Sequence, residues 1–415
     1  MFPAQKSDFN RKTRGVRKIC KECEPAQVNH TVIRVSSYMS LFMKPMLKPF
    51  DYLTRVLLPP RSFSWFDIVA PALLRTLAFL RVGKLDTEIR ESDSDRTRCF
   101  WVEAKRRGIQ MLMYRAGPVK DLFIATHEGR TICFDGLPRP IGPEAKSLYW
   151  MDNKPLMRKR FSEAGIPIAS GASAFSLGQA LDIFRSLKKP VIVKPYSGSR
   201  SRHTTIHLAH EKEFIAAFRS AKVLSPLALI EEELSGFVHR GTLIGWKLAA
   251  VIRREPPHVR GDGAHTTREL VEIENRHEKR NGPTFHPIVL DAEAKQELAR
   301  QNLGLESIPQ KGQLIFLNQK VSRGIGASTT DLTDCVHPEN RKLLETIGEL
   351  LQDPLVGVDF IMGDVRVPWQ EQPRSGVIEC NSLPFIDLHH YPLEGEPRNV
   401  AGALWDIIFP ASAKV

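Results

Sequence analysis

Two short stretches near the C-terminus place oxygen-bearing side chains within apolar sequence. In the stretch 377–381, an apolar pair comes first, and Glu379 and Asn381 then fall on one face because side chains repeat every second residue in a strand. The stretch 356–362 is apolar except for Asp359 in its middle. Since an unpaired charge in a buried strand is costly, we predict that the two strands pair antiparallel and bring these three side chains together.

These three side chains suit a hard divalent cation. Mg²⁺ prefers a few carboxylate and amide oxygens together with substrate phosphates. Taken alone, Glu-x-Asn also fits a hairpin whose acids face solvent. The metal interpretation gains support from Pro384, which ends the strand, and from two lysine-bearing segments upstream that a nucleotide site needs. We therefore predict that Asp359, Glu379 and Asn381 are metal ligands, with Mg²⁺ as the metal and Mn²⁺ as its substitute.

The pattern upstream predicts helices followed by a small α/β unit. Residues 68–80 form an amphipathic helix with a wide apolar face, which favours packing on the main body over an interfacial membrane position. The segment 99–108 reads as a helix that ends at its glycine, and 110–114 reads as a strand. The stretches 122–125 and 131–134 then predict a hairpin.

The positive charge of the chain is concentrated at its start. The 415 residues carry a formal charge of +12, and residues 1–60 contain eleven Lys or Arg against four acids. Such a leader could touch nucleic acid or an anionic membrane. No nucleic-acid motif accompanies it, so a solubilising tail is favoured and nucleic acid is not expected as a partner. No apolar run approaches the roughly 20 residues of a membrane span, and no secretory signal is recognisable, so we expect a cytoplasmic protein.

Cysteine usage adds one feature to this leader. The six cysteines form no disulfide-like framework, which fits a reducing compartment. Cys20 and Cys23 form a CxxC, and His30 follows. A complete zinc site needs four ligands, and there is no second CxxC. We therefore expect two thiols in a poorly ordered tail over residues 1–30.

Two lysine-bearing segments have the features of a phosphate site. Lys194 ends the apolar strand 190–195, and the loop 197–205 that follows can offer backbone N–H groups to phosphate oxygens. Arg200, Arg202 and His203 add cationic or polar donors within that loop. Lys154 stands in the first turn of a predicted helix, where the helix dipole makes a cation mildly unfavourable and so favours a functional role.

These segments together resemble the ATP-grasp ligases, and among them the ATP-grasp module of cyanophycin synthetase-like proteins, over residues 149–410. The segments that carry the resemblance are Pro190-Val-Ile-Val-Lys-Pro195, Leu229-Ile-Glu-Glu-Glu-Leu-Ser-Gly236, the stretch 251–270 and the stretch 387–402. The resemblance implies an α/β protein with the α+β ATP-grasp fold, in which two subdomains grip ATP. We expect a basic, partly disordered and helical region at 1–90, a small α/β unit at 91–148 and the ATP-grasp domain at 149–410.

The resemblance also implies roles for individual residues. Arg240 matches a family arginine, and Arg253 or Arg254 is expected to bind phosphate or a substrate carboxylate, so these three are the catalytic candidates. The sequence departs from the family at Val238, where an acid usually contacts the ribose, and in the phosphate loop, where glycines usually replace Ser201 and His203. The implied ATP-binding residues are Lys154, Lys194, Ser199, Arg200, Ser201, Arg202, His203, Glu231, Glu232 and Leu234.

The resemblance implies a reaction in which ATP phosphorylates a carboxylate and an amine captures the acyl phosphate. The substrates would be amino acids or short peptides, whose identity stays open, as does assembly into a homo-oligomer. The Mur-ligase-like half of full cyanophycin synthetases does not follow before Val415, so we do not expect that enzyme. One alternative is an ATP-binding protein of the same fold without ligase activity. Another is a basic adaptor that binds nucleic acid or anionic membrane through residues 1–60.

Overall fold

The structure, a computed structural model, describes residues 20, 28–39, 63–117, 119–139, 154–196, 202–281, 284–321, 323–410 and 412. Side chains are described for all of these except 63–68, 119, 120, 154, 155 and 281. The chain divides into two compact units, the first formed by residues 1–46 with 171–231 and the second by residues 47–170 with 232–415.

Helices and strands are numbered in chain order. They are α1 (30–39), α2 (Phe63–Phe79), β1 (Lys84–Asp86), α3 (Asp95–Arg106), β2 (Gln110–Ala116), β3 (Val119–His127), β4 (Arg130–Asp135), α4 (Lys154–Glu163), β5 (Gly171–Ala174), α5 (Leu177–Ser186), β6 (Val191–Pro195), β7 (Thr205–Leu208), α6 (Glu211–Ala221), β8 (Ala228–Glu232), β9 (Phe237–Ile244), β10 (Lys247–Glu255), β11 (His258–Arg260), α7 (Thr267–Asn275), α8 (Ala292–Arg300), β12 (Leu314–Phe316), β13 (Ser328–Asp331), α9 (Pro338–Leu351), β14 (Leu355–Met362), β15 (Gly376–Asn381), α10 (Asp387–His390) and α11 (Val400–Ile408).

The first unit is a four-stranded sheet packed against helices. Its strand order is β5-β8-β6-β7. The apolar faces of α5 and α6 meet in its core, where the rings of Phe184 and Phe214 lie 4.4 Å apart. Helix α5 begins with a capping box, because Ser176 and Gln179 satisfy each other's backbone N–H groups. Helix α1 belongs to the same unit, and its buried Ser37 hydroxyl donates to the Leu224 carbonyl at 3.3 Å.

The second unit contains a four-stranded antiparallel sheet of order β1-β2-β3-β4. The predicted helix over 99–108 is present as α3, and the predicted hairpin is the pair β3–β4. Both predictions are confirmed. Phe100, Phe123 and Trp405 of α11 are fully buried between these elements, and the indole N–H of Trp405 donates to the Phe100 carbonyl at 2.9 Å.

A five-stranded antiparallel sheet forms the other half of the second unit, with strand order β13-β10-β9-β14-β15. The pairing of β14 with β15 confirms the predicted antiparallel pairing of 356–362 with 377–381. One face of this sheet packs on α9 through Leu344 and Ile347. On the other face, Ile244, Ala250 and Leu355 join the core that contains α3 and α11.

A smaller layer completes the second unit. Strands β11 and β12 pair antiparallel and pack with α7 and α8 around a separate apolar cluster. The segment with Gly261 and Gly263 precedes α7, and Gly263 has a positive φ of 79° that favours glycine. Among the helices that the structure describes, none combines the length and the apolar character needed to cross a membrane.

Candidate functional site

The predicted metal ligands lie on one face of the five-stranded sheet. Asp359 on β14 stands directly opposite Glu379 on β15, and Asn381 stands opposite Gly357 two residues away. The Asn381 amide donates from Nδ2 to Oδ2 of Asp359 at 3.5 Å. Directly opposed residues of an antiparallel pair share a face. The three oxygen-bearing side chains predicted from the sequence are therefore neighbours.

Arg240 occupies the strand on the other side of Asp359. The register of β9 and β14 sets the two residues opposite each other. The guanidinium donates two hydrogen bonds to the carboxylate, one from Nε to Oδ1 and one of 2.7 Å from Nη2 to Oδ2. Both residues are buried, with exposed fractions of 3% and 7%. Burial alone lowers the pKa of Arg240, but Asp359 outweighs it and leaves that pKa raised.

Gly357 makes room for this pair. A Cβ added at Gly357 would lie 2.8 Å from the Cβ of Pro384 and 3.0 Å from Nη1 of Arg240. Both distances are shorter than ordinary van der Waals contact. The apolar stretch 356–362 therefore contains a glycine where a side chain would push the Arg240 guanidinium away from Asp359.

The two arginines of β10 lie on opposite faces of the sheet. Arg254 is two residues from Ile252, which pairs with Arg240, so Arg254 shares the face of Asp359. Its charge interacts with Asp359 and Glu379, and burial lowers its pKa. Arg253 lies on the other face, where it donates to Glu255 at 2.9 Å. The sequence left open whether Arg253 or Arg254 binds an anionic substrate group. Arg254 is the one that lies on the face with the oxygen ligands.

A further arginine that sequence reasoning missed, Arg323, stands near this cluster. It forms an ion pair with the buried Asp387 of α10, and its charge also acts on Arg254. Among the described residues, neither Nη1 of Arg323 nor Nη1 of Arg240 has a hydrogen-bond partner, although both atoms are buried. Buried donors of this kind are almost always satisfied in folded proteins. Two guanidinium groups therefore have donors available for an anionic ligand.

His389 and Thr242 form a second layer under the cluster. His389 is fully buried, and its Nε2 lies 2.8 Å from the Thr242 hydroxyl. Burial, with Arg240 and His390 nearby, lowers the pKa of His389 to about 3. The ring is therefore neutral at pH 7, and it hydrogen-bonds to Thr242 without adding a charge beneath the cluster. Arg323 could have been suspected from the sequence, because it stands beside two glycines, Gly324 and Gly326. Nothing in the sequence points to Thr242.

In the first unit, two of the predicted ATP-binding residues are paired with each other. Lys194 on β6 and Glu231 on β8 form an ion pair with an Nζ–Oε2 distance of 2.5 Å. Both side chains are largely buried, with exposed fractions of 14% and 4%. The carboxylate holds the lysine one residue before the end of β6.

The remaining predicted residues are described to different extents. Glu232 and Leu234 are partly buried at and after the end of β8, and the Glu232 N–H donates to the Ser170 carbonyl at 2.8 Å. Helix α4 begins at Lys154, but its side chain lies outside the described residues. Arg202 and the buried His203 precede β7. Ser199, Arg200 and Ser201 lie outside the described residues.

The donor set around Asp359 fits Mg²⁺. Each carboxylate oxygen has two lone-pair sites. Oδ2 of Asp359 accepts from both Arg240 and Asn381, whereas Oδ1 accepts from Arg240 and retains one site for a cation. Glu379 and the Asn381 carbonyl add oxygen donors at the same place. Mg²⁺ uses few protein ligands and keeps the rest of its octahedral shell for water and phosphate. The chemistry of these three residues therefore matches the metal that the sequence predicts.

Comparison with solved structures shows which fold the chain has. The chain has the ATP-grasp fold, and the fold predicted from the sequence is confirmed. The crystal structure of a bifunctional glutathione synthetase from Pasteurella multocida superimposes with a TM-score of 0.56 and 23% identity, covering 76% of this chain and 43% of that one. No family model matches the sequence.

Sequence comparison finds relatives about 30% identical to part of this chain. Cyanophycin synthetase from Synechocystis sp. is 31% identical over 255 residues, which are 60% of this chain and 29% of that protein. The glutathione biosynthesis bifunctional protein GshAB from Mannheimia succiniciproducens is 30% identical over 272 residues, 63% of this chain and 35% of its own length. The chain therefore spans about a third of these relatives. The resemblance to the ATP-grasp ligases, and to the cyanophycin synthetase-like module within them, is confirmed.

Proposed function

We propose that the chain is an ATP-dependent ligase that joins a carboxylate to an amine. The observation that carries the proposal is the sheet face on which Asp359, Glu379 and Asn381 stand beside buried arginines with unused donors. Oxygen ligands for a cation and guanidinium donors for an anion are what phosphoryl transfer requires. The similarity to proteins that make cyanophycin and glutathione supports the same reaction class.

The reaction has two steps. A carboxylate oxygen of the first substrate attacks the γ-phosphorus of ATP, the bond to the β,γ-bridging oxygen breaks, and ADP leaves. The nitrogen of the second substrate then attacks the acyl carbon, the bond to the phosphate oxygen breaks, and an amide and inorganic phosphate form with release of a proton. No covalent bond to the protein is needed, so the chain acts by positioning and by electrostatic stabilisation.

The roles of the residues follow from their chemistry. Mg²⁺ held by Asp359, Glu379 and Asn381 would neutralise charge on the transferring phosphoryl group. Arg254 and Arg323 bind anionic oxygens through the guanidinium fork, which matches both phosphate and carboxylate. Arg240 holds Asp359 in place through its two hydrogen bonds.

The rest of the predicted set, except the buried His203, is assigned to the nucleotide. Lys154, Lys194 and Arg202 would neutralise the triphosphate. Glu231 and Glu232 at the end of β8, and Leu234 just after it, are the residues expected beside adenine. Ser199, Arg200 and Ser201 keep the assignment to the phosphate loop that the sequence predicts. We propose amino acids or short peptides as substrates and the cytoplasm as the location.

Two other functions make different predictions. A nucleotide-binding protein without ligase activity, which Val238 and the altered loop would suit, would bind ATP and release no ADP when amines are added. A basic adaptor would bind nucleic acid or anionic vesicles through residues 1–60 and would lose that binding on their deletion. The cluster around Asp359 favours the ligase, because it combines oxygen ligands for a cation with guanidinium donors for an anion, as phosphoryl transfer requires.

The experiment is a screen for the acyl phosphate. Purified protein with MgATP is given a panel of amino acids and dipeptides, together with hydroxylamine, which captures an acyl phosphate as a hydroxamate. We expect ADP, phosphate and hydroxamate in equal amounts with the correct carboxylate. ATP binding without any ADP formation across the panel would support the non-catalytic alternative.

A further inference from the structure

Three side chains that bind soft and borderline metals meet in the first unit, away from the cluster around Asp359. Cys20, His30 and His203 each direct one ligand atom into a group in which all three atoms lie within 4.8 Å of one another. Of the described residues, these form the one group of three or more histidines, cysteines and acids with that spacing. Cys20 and His30 lie in the same N-terminal stretch, whereas His203 follows Cys20 by 183 positions, so folding brings the two parts together.

The distances are close to those of a zinc site. The Cys20 Sγ atom and the His203 Nε2 atom are 3.5 Å apart. With Zn–S and Zn–N bonds of about 2.3 and 2.0–2.1 Å and tetrahedral angles, the ligand atoms of a Cys–His pair lie about 3.6 Å apart. The His30 ring stands edge-on to His203 at a centroid distance of 5.1 Å. A metal ion between the three groups needs only a small inward movement of His30.

The second nitrogen of His203 already has the partner that a metal-bound histidine needs. Its Nδ1 lies 3.0 Å from the Ser220 hydroxyl on α6. When Nδ1 carries the proton and donates to this oxygen, the lone pair of Nε2 faces Cys20. A hydrogen bond at the other ring nitrogen fixes the tautomer and orientation of most histidines that bind metal.

The backbone at His203 also favours a functional role for the side chain. Its φ is +52°, in the left-handed region that favours glycine. A histidine in this region carries backbone strain that glycine would not. The imidazole is 4% exposed and engaged with Cys20 and Ser220. Strained non-glycine residues cluster at functional sites, so the strain at His203 supports a role for its side chain.

We propose that Cys20, His30 and His203 form a zinc site in the first unit. The Cys20 thiolate and two neutral imidazoles supply three ligands, and a water molecule completes the tetrahedron. Cys23, the other half of the CxxC, lies outside the described residues, and the three-residue site does not depend on it. Most of the tail that the sequence predicts to be poorly ordered, residues 1–30, lies outside the described residues. In this proposal the metal binds Cys20 and His30 to the residues before β7.

The test uses the full chain, produced without a histidine tag, stripped with chelator and reloaded with Zn²⁺ or with Co²⁺ as a spectroscopic probe. We expect one tightly held zinc ion per chain and, with cobalt, the near-ultraviolet absorption of a cobalt–thiolate bond. Cys20→Ser should remove that absorption. His203→Gly should lower zinc content while relieving the left-handed backbone, so loss of metal cannot be ascribed to a misfolded loop. Cys335→Ser, which removes an exposed thiol elsewhere, is the matched control and should change neither.

A fourth variant tests the geometry itself. Ser220→Ala keeps all three ligands but removes the hydrogen bond at Nδ1, and we expect zinc affinity to fall about 10-fold to 100-fold. A cobalt–thiolate absorption that survives in Cys20→Ser would overturn the proposal. So would a stripped protein that takes up no stoichiometric zinc, or zinc content that is equal in wild type, Cys20→Ser and His203→Gly.

Discussion

Arg240 and Asp359 stand opposite each other on adjacent strands and form a buried, two-pronged ion pair. This pair connects the oxygen ligands of the candidate site with its arginines. Asp359 also faces Glu379, and the charge of Arg240 acts on Arg254. An ion pair of this kind can serve the fold, the reaction or both. The two roles can be separated by measuring stability and activity on the same variants.

Asp359→Asn should destabilise the chain by about 3–5 kcal/mol, because it leaves the Arg240 charge buried without compensation. Urea unfolding followed by circular dichroism measures the change. The double variant Arg240→Met with Asp359→Leu should recover most of the loss, since an apolar pair of similar volume removes both charges. ATP cleavage should be absent from both variants. Equal stabilities of wild type and Asp359→Asn would show that the pair adds nothing to the fold.

Glu379→Gln should abolish ATP cleavage and leave unfolding almost unchanged. The amide keeps the shape of the side chain but loses the negative charge that a cation requires, and such losses cost several kcal/mol of transition-state stabilisation. Glu255→Gln is a matched control, because Glu255 pairs with Arg253 on the other face of the same sheet. Its ATP cleavage should stay near the wild-type rate. Normal turnover in Glu379→Gln would refute the metal assignment.

Arg254→Lys and Arg253→Lys should differ in their effect on kcat/KM. Lysine keeps the charge but loses the fork that binds two oxygens at once. Arg254 lies on the face of Asp359, so its replacement should cost about 1.5–3 kcal/mol, which is on the order of 10-fold to 100-fold. Replacement of Arg253 should change kcat/KM less than 2-fold or so, within the error of such comparisons. The reverse order would place the substrate on the opposite face of the sheet.

Stability should fall as the pH drops from about 6.5 to 4. Burial lowers the pKa of His239 to about 4, of His389 to about 3 and of His390 to about 4. Below pH 6.5 the unfolded chain therefore binds protons that the folded chain excludes, and each histidine contributes up to about 1.4 kcal/mol per pH unit. Urea midpoints between pH 7 and pH 4.5 measure the slope.

A single substitution isolates one of these protons. His239→Phe keeps the ring that stacks on Phe360 and removes the titrating group. The slope should decrease by up to about 1.4 kcal/mol per pH unit. Replacement of the exposed His286 by Gln serves as control. An unchanged slope in His239→Phe would show that its burial has no role in the acid sensitivity.

The strands that carry the candidate site could be predicted because the pattern that defines them lies within a few consecutive residues. The two-residue period of 377–381 and the single acid in 356–362 determine which side chains share a face. The glycine at position 357 is explained only by the packing, because the absence of a side chain leaves room for the Arg240 guanidinium. The choice between Arg253 and Arg254 likewise depends on the register of β9 and β10, which the sequence alone does not give.

Contacts between distant parts of the chain were beyond local reasoning. Cys20 and His203 are 183 positions apart, so from the sequence the CxxC lacked the further ligands that a zinc site needs. Arg323 and Asp387 are 64 positions apart and meet through the packing of a loop on α10. Neither pair has a periodic signal, because each is made by side chains at the ends or outside of regular elements.

The transfer of an oxygen atom tests the proposed reaction most directly. The carboxylate substrate found in the hydroxylamine screen is labelled with oxygen-18 at its carboxyl group, and the phosphate released with MgATP and an amine is examined by mass spectrometry. We predict that each phosphate carries one oxygen from the carboxylate, because that oxygen bridges carbon and phosphorus in the acyl phosphate. Unlabelled phosphate accompanied by amide formation would contradict the acyl-phosphate pathway.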